Sequence, residues 1–312
     1  MRLATLRSGG RDGTLVAVSR DGNRVAQVAG IATLQAALDH WDAAQEALTA
    51  AAAAAEQGDP VSASDFAAPL PRAWQWLDGS AFPTHGALMQ TAFDLPPIET
   101  DKPLMYQGMS HAFIAPTDDV PLPDEAGGID FEGEFGVITD DVPMGVSATE
   151  ALDHIRLVVQ INDWSLRVLA PAEMKTGFGW IQAKPACSVA PFAVTPDALG
   201  DAWVDGRVAL PLTVEVDGEW FGHPDGRAMA YGFHELIAHA AATRTLPAGT
   251  IIGSGTVSNA DYATVGSTCI SERRAIEMIA EGRPKTGFLR FGTRVTMRAG
   301  PFGTIDQRVV RG

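Results

Sequence analysis

Residues Gly128–Val142 read GIDFEGEFGVITDDV. The stretch reads as a strand, and alternate side chains of a strand share a face. One face would carry Asp130, Glu132 and Glu134, the other Phe131, Gly133 and Phe135. Carboxylates lined up in this way repel each other unless something positive sits between them. A hard divalent cation such as Mg²⁺ is the natural neutraliser, because it prefers oxygen ligands and keeps some of its waters. An E-x-E pair alone is more often an ordinary solvent-facing strand, so the cation reading needs support from elsewhere in the chain.

Around this stretch, from Trp74 onward, short β segments alternate with Gly, Pro and Asp. Strands are expected at 129–138, 155–162, 189–194, 209–217, 250–255, 292–299 and about 303–310. Two helices stand out. One starts at Ser147 with Glu150 three residues on, a capping box; the other is FHELIAHAAATRTL, 233–246. The first 70 residues differ. A hairpin at 13–28 turns at RDGN, and a helix capped by Thr33 runs with Leu34, Leu38, Trp41 and Leu48 in helical spacing to Gly58–Pro60. The stretch SASDFAAPLPRA then reads as a linker. The expected organisation is α+β and mostly β: a small N-terminal α+β domain over 1–70 and a β-rich domain over 71–312.

The 312 residues carry a net charge of −15 and 46% apolar residues, enough for a sizeable core. Such a chain repels phosphate backbones and anionic lipid, and its longest basic cluster is Arg273-Arg274. No nucleic-acid or membrane partner is expected. No apolar run reaches the roughly 18 residues of a membrane helix, and the N-terminus lacks the apolar centre of a signal peptide. Cys187 and Cys269 form no CxxC. A cytoplasmic setting is the default.

Two further acidic positions stand near β-type segments. The apolar strand LVVQIN ends in Asn162-Asp163, followed by Trp164 and Arg167; a carboxylate there is either a turn cap or part of a site. AWQWLDGSAFPTHG places Asp78 and His85 among aromatic and turn residues.

In this order, DFEGEFGVI, NDWSLR, QAKP and GSGTVSN resemble the fumarylacetoacetate hydrolase superfamily, over roughly Ala73 to Val310. The N-terminal segment is similar to the cap of its longer bacterial members. The resemblance implies a rolled mixed β-sheet domain, a homodimer, and a site that holds Mg²⁺, or Mn²⁺ or Ca²⁺. It also implies hydrolytic cleavage of a C–C bond next to a carbonyl in a small diketo acid. Glu132, Glu134 and Asp163 match the family's metal carboxylates. Asp78, seven residues before His85, matches a further aspartate ligand. His85 matches the histidine that activates water and Lys184 the lysine near the metal. Arg167, the arginine after NDWS, and Thr256, the threonine of the substrate-binding turn, are expected on substrate.

The chemistry suits this set. A divalent cation polarises a carbonyl and stabilises a departing enolate. Imidazole can take a proton from water, best when a carboxylate orients its other nitrogen. An ammonium offers a point charge for a developing oxyanion or a substrate carboxylate. The match departs at one point. Smaller members carry a glutamate just after the histidine, whereas Gly86, Ala87 and Leu88 stand here. Glu272, in GSTCISERR, is the substitute suggested by larger members. No arginine follows His85 within a dozen residues, so substrate contacts do not transfer.

Other motifs fail on spacing. The histidines of HELIAH are five apart, about 140° around a helix rather than on one face. There is no GxxxxGK[ST], no GxGxxG before a helix and no G-x-S-x-G elbow. AEMKTGFGWIQ, 172–182, reads either as a mobile lid or as an ordinary surface loop. The leading expectation is a Mg²⁺-dependent C–C hydrolase. The alternatives are a metal-dependent decarboxylase or lyase of a 2-oxo acid such as oxaloacetate, and a catalytically impaired metal-binding paralogue.

Overall fold

The computed structural model describes residues 1–94, 96 and 100–312. The acidic stretch is not one continuous strand. Ile129–Asp130 pairs with Ser165–Leu166, while Gly133–Thr139 pairs with Ile155–Asn162, and Phe131 and Glu132 lie at the junction. Gly133–Thr139 is buried from end to end. It therefore packs on both faces, and the solvent-facing reading of Glu134 falls away.

Gly133–Thr139 sits inside an eleven-stranded sheet. On one side the order runs through Ile155–Asn162 and Ala193–Val194 to the N-terminal strands Arg2–Leu6, Thr14–Val18, Arg24–Gln27 and Asp59–Pro60. On the other it runs through Ile251–Gly253 and Trp76–Gly79 to Met105–Gly108 at the edge. The sheet thus crosses residue 70 without a break, because Arg2 and Leu3 pair with Val194 and Ala193. Its pairs are antiparallel except Ile251–Gly253 beside Trp76–Gly79. A second, five-stranded sheet combines Glu219–Gly222, Thr213–Val216, Arg294–Arg298, Thr304–Arg311 and Val120–Leu122.

Strand parity decides what each face touches. Along Ile155–Asn162, Leu157, Val159 and Ile161 join one core with Leu34, Leu38, Trp41 and Leu48 of the N-terminal helices. Val158 joins the other with Phe131, Phe135 and Val137, covered by Val214, Val295, Met297, Ile305 and Val309 of the second sheet. Burying each such Leu or Val contributes about 1.5–3 kcal/mol.

Several elements differ from expectation. The N-terminal helix is two, Leu34–Leu38 and Trp41–Ala54, broken where His40 leaves helical backbone geometry (φ −140°, ψ 47°). The helix expected over 233–246 is Phe233–Ala240; Leu246 is drawn into a β-bridge with Val142, which requires extended chain. The strand expected over 189–194 splits into Ser188–Val189 and Ala193–Val194 around Pro191, which cannot donate to a ladder. Among the helices not foreseen, Pro83–Phe93 and Ile270–Glu281 pack against each other. The Ser147–Glu150 capping box is present as expected. Among the described residues no helix is long and apolar enough to cross a membrane.

Candidate functional site

Four neighbouring strands bring carboxylates together. Asp78 lies opposite Gly253, Gly253 opposite Gly136, and Glu134 opposite Ile161, two residues before Asp163. Oxygen atoms of Asp78, Glu134 and Asp163 all lie within 4.8 Å of one another, and all three residues are buried. Gly253 makes the approach feasible, since a Cβ there would stand 2.3 Å from Asp78 Oδ1. Gly255, at φ +76°, turns its N–H onto the same oxygen at 3.0 Å.

Glu132, the fourth expected ligand, is not within this triad. It accepts from Lys184 Nζ, Ser165 Oγ and Thr256 Oγ1, and Arg167 lies 3.2 Å away. Lys184 also donates to Asp163 Oδ2 at 2.7 Å, so it links Glu132 to the triad. Thr256 and Arg167, expected on substrate, both engage Glu132 here. Burial works against Glu132 as an anion, but Arg167 and Lys184 outweigh it and hold its carboxyl far below the usual range. Lys184 and Arg167 are raised in turn, since nearby carboxylates more than offset burial. Asp78 and Glu134 behave oppositely. Burial pushes both well above the carboxylate range, and the neighbouring acids push in the same direction.

Glu134 supplies the test of whether a cation fits. Both of its oxygens are buried and accept no hydrogen bond from the described residues. A buried acceptor left in this way costs about 1–3 kcal/mol. An all-oxygen set of three carboxylates is the donor chemistry of Mg²⁺, Mn²⁺ or Ca²⁺.

The helices Pro83–Phe93 and Ile270–Glu281 meet, and Cys269, which caps the second, forms a β-bridge with Glu132. His85 lies in the first turn of Pro83–Phe93, and Glu272 in the first turn of Ile270–Glu281. His85 Nδ1 is 2.9 Å from Glu272 Oε2, and the Glu272 side chain is fully buried. Asp130 holds the second helix in place. Its Oδ1 accepts from Ile270 N at 2.7 Å and its Oδ2 from Ser271 N at 2.9 Å. A carboxylate at a helix start is favourable because it satisfies unpaired N–H groups and meets the positive end of the dipole. Asp130 Oδ2 also accepts from Arg167 Nε at 2.8 Å. The third acid of the acidic stretch, to which the resemblance gave no role, thus anchors the element that delivers Glu272. Phe131 packs against Phe221 and Phe135 against Phe302, as expected for the side away from the acids.

Tyr106, Ser165 and Cys187 were missed. Tyr106 Oη donates to Asp163 Oδ2 at 2.6 Å, and Cys187 Sγ lies 3.0 Å from Asp163 Oδ1. Ser165 stands within the NDWS motif and was open to notice; a lone tyrosine in a short strand carries no such signal. In the 172–182 segment, Glu173 accepts from the N–H groups of Ile181, Gln182 and Ala183, and Trp180 packs edge-on against Tyr106. Phe178 is 96% exposed between two left-handed glycines, Gly177 and Gly179.

The family model described as fumarylacetoacetate (FAA) hydrolase C-terminal matches residues 75–310, and that described as fumarylacetoacetase N-terminal domain 2 matches residues 1–72. The chain belongs to the fumarylacetoacetate hydrolase family. Among family relatives, a 2,4-didehydro-3-deoxy-L-rhamnonate hydrolase of Sphingomonas sp. (strain SKA58) is 29% identical over 163 residues, 51% of this chain and 54% of that protein. The chain spans about half the length of the curated relatives it matches. Maleylpyruvate hydrolase from Sphingobium sp. SYK-6, solved with manganese(II) and pyruvate, superposes with a TM-score of 0.70 at 19% identity, covering 100% of both chains. A 5-carboxymethyl-2-hydroxymuconate delta-isomerase from Mycobacterium smegmatis superposes with a TM-score of 0.63 at 20% identity, covering 100% of this chain and 99% of that one. At these identities the superpositions speak to the family fold.

Proposed function

We propose that this chain is a divalent-metal-dependent hydrolase that cleaves a C–C bond next to a carbonyl in a small diketo acid of the acylpyruvate type. The observation that carries the reading is the His85–Glu272 pair, joined at 2.9 Å, in a protein that also buries a three-carboxylate cluster. The hydrolase names among its relatives, one of them solved with manganese(II) and pyruvate, support the same class.

Asp78, Glu134 and Asp163 would hold the cation, with Glu132 alongside through Lys184. Mg²⁺ is the first expectation for its identity. Once bound, the cation supplies Lewis-acid polarisation of the carbonyl and charge to offset that developing on the leaving group.

The protein's own groups do the rest. A carboxylate can only accept, so Glu272 Oε2 takes the Nδ1–H of His85 and leaves Nε2 as the base. Nε2 takes a proton from water as the water oxygen bonds to the carbonyl carbon. The C–C bond then breaks, its electron pair goes to the departing carbon, and the imidazolium returns the proton there. An acylpyruvate and water thus give a carboxylic acid and pyruvate. Lys184 is held protonated and contributes fixed positive charge between Glu132 and Asp163.

The test is turnover on acylpyruvates by wild type and His85→Ala. Hydrolysis should collapse in the variant. Hydrolysis that survives at the wild-type rate removes His85 from the mechanism.

A further inference from the structure

Resting on the reading of Asp78, Glu134 and Asp163 as a cation site, we propose that Tyr106 is a positioning residue that fixes Asp163 for the cation through its phenolic O–H. Tyr106 lies directly opposite Asp78 in the antiparallel pair of Met105–Gly108 with Trp76–Gly79. Directly opposed residues share a face, so Tyr106 projects to the side from which Asp78 enters the acidic cluster. From there its hydroxyl reaches Asp163 Oδ2 at 2.6 Å.

An ionised carboxylate offers about four lone-pair sites, two on each oxygen. Tyr106 and Lys184 occupy both sites of Asp163 Oδ2, and Cys187 occupies one of Oδ1. One site on Oδ1 is left, so Asp163 can offer a cation a single bond in a set direction. Without the hydroxyl, Oδ2 would regain an open site and the carboxylate could rotate. The ring is itself held. Trp180 packs against it with centroids 4.8 Å apart, and Lys184 Nζ lies 5.5 Å from its centre. The hydroxyl is therefore delivered from a fixed platform, the arrangement by which outer-shell donors orient metal carboxylates.

The experiment measures Mn²⁺ binding to the full chain through the EPR signal of unbound Mn²⁺, for wild type, Tyr106→Phe and Trp180→Leu, with melting curves of each protein in chelator. Tyr106→Phe should bind Mn²⁺ about 10–100-fold more weakly, the usual loss when an outer-shell partner is removed, while melting like wild type in chelator. Trp180→Leu, which keeps the hydroxyl and removes one support of its ring, should lose less affinity than Tyr106→Phe. Tyr106→Phe binding within threefold of wild type overturns the proposal. So does an equal loss in both variants, which would assign the effect to ring packing. A Tyr106→Phe protein that melts far below wild type in chelator makes the hydroxyl a fold-stabilising group and also overturns it. Wild type that binds no Mn²⁺ overturns the cation-site reading itself, an outcome visible in the control alone.

Discussion

Nδ1 of His85 lies 2.9 Å from Oε2 of Glu272, although 187 residues separate them in the chain. The pair forms because Pro83–Phe93 and Ile270–Glu281 pack together, each presenting its first turn to the other. Glu272 therefore fixes which imidazole nitrogen faces outward. Glu272→Gln removes that control, since an amide can donate as well as accept. The variant should lose about 10²–10⁴-fold in kcat, the range of a general base, while binding Mn²⁺ as wild type does. Steady-state rates on an acylpyruvate, set beside Mn²⁺ titrations, check this. An unchanged kcat would remove Glu272 from the mechanism.

Glu134 is buried and neither of its oxygens is paired among the described residues, so its charge is a cost until a cation arrives. Glu134→Gln should raise the stability of the chelated protein near neutral pH by on the order of 1–2 kcal/mol. It should abolish the further stabilisation that Mg²⁺ or Mn²⁺ gives wild type. Denaturant unfolding with and without metal reads both effects. Destabilisation in chelator would show that Glu134 has partners other than a cation.

The raised carboxyls of Asp78 and Glu134 set a pH dependence. A group whose folded pKa lies above its unfolded value stabilises most below the unfolded value, about 4 for these acids. That stability is lost as pH rises through the folded values. Their contribution to the chelated protein should therefore fall as pH climbs from about 4. A cation binds the ionised carboxylates and displaces these protons, so its affinity should rise over the same range. Calorimetric titrations in buffers of different ionisation enthalpy should detect proton release on Mn²⁺ binding. Metal affinity that is flat with pH would contradict the coupling.

Asp130 joins the start of Ile270–Glu281 to Arg167 inside the protein. Asp130→Asn removes one of the two carboxylates that face Arg167 and leaves Glu132 at 3.2 Å. Stability should fall, by less than the about 3–5 kcal/mol of a buried pair broken outright. Because the same carboxylate seats the helix that carries Glu272, kcat should fall as well. Denaturation midpoints and rates measured together test this. A loss of stability with full activity would detach the helix anchor from the site.

Much of the site was legible in the sequence because its acids sit in short local patterns. Glu132 and Glu134 two apart, and Asp163 after an apolar strand, each carry a signal within ten residues. Strand Ile155–Asn162 was legible for the same reason, since Leu157–Val159 and Ile161 make it a mostly apolar run. What was not legible depends on tertiary contact. The first N–H groups of the helix Ile270–Glu281 are held by Asp130, 140 residues earlier, and its local cap is Cys269, a residue type that does not mark helix starts. Nor does a sequence reveal that Glu132 turns to Lys184 and Thr256 while Glu134 stays unpaired. Parity placed Asp130, Glu132 and Glu134 on one face; the break at Phe131 and Glu132 gives each acid a separate task.

Metal-dependent hydrolysis can be read in a single assay. An acylpyruvate is incubated with chelated enzyme, its disappearance is followed, and Mg²⁺ is then added in excess. The account predicts no turnover in chelator and turnover once Mg²⁺ is present, with pyruvate and a carboxylic acid formed in equal amounts. Turnover at the same rate in chelator as in Mg²⁺ would contradict it.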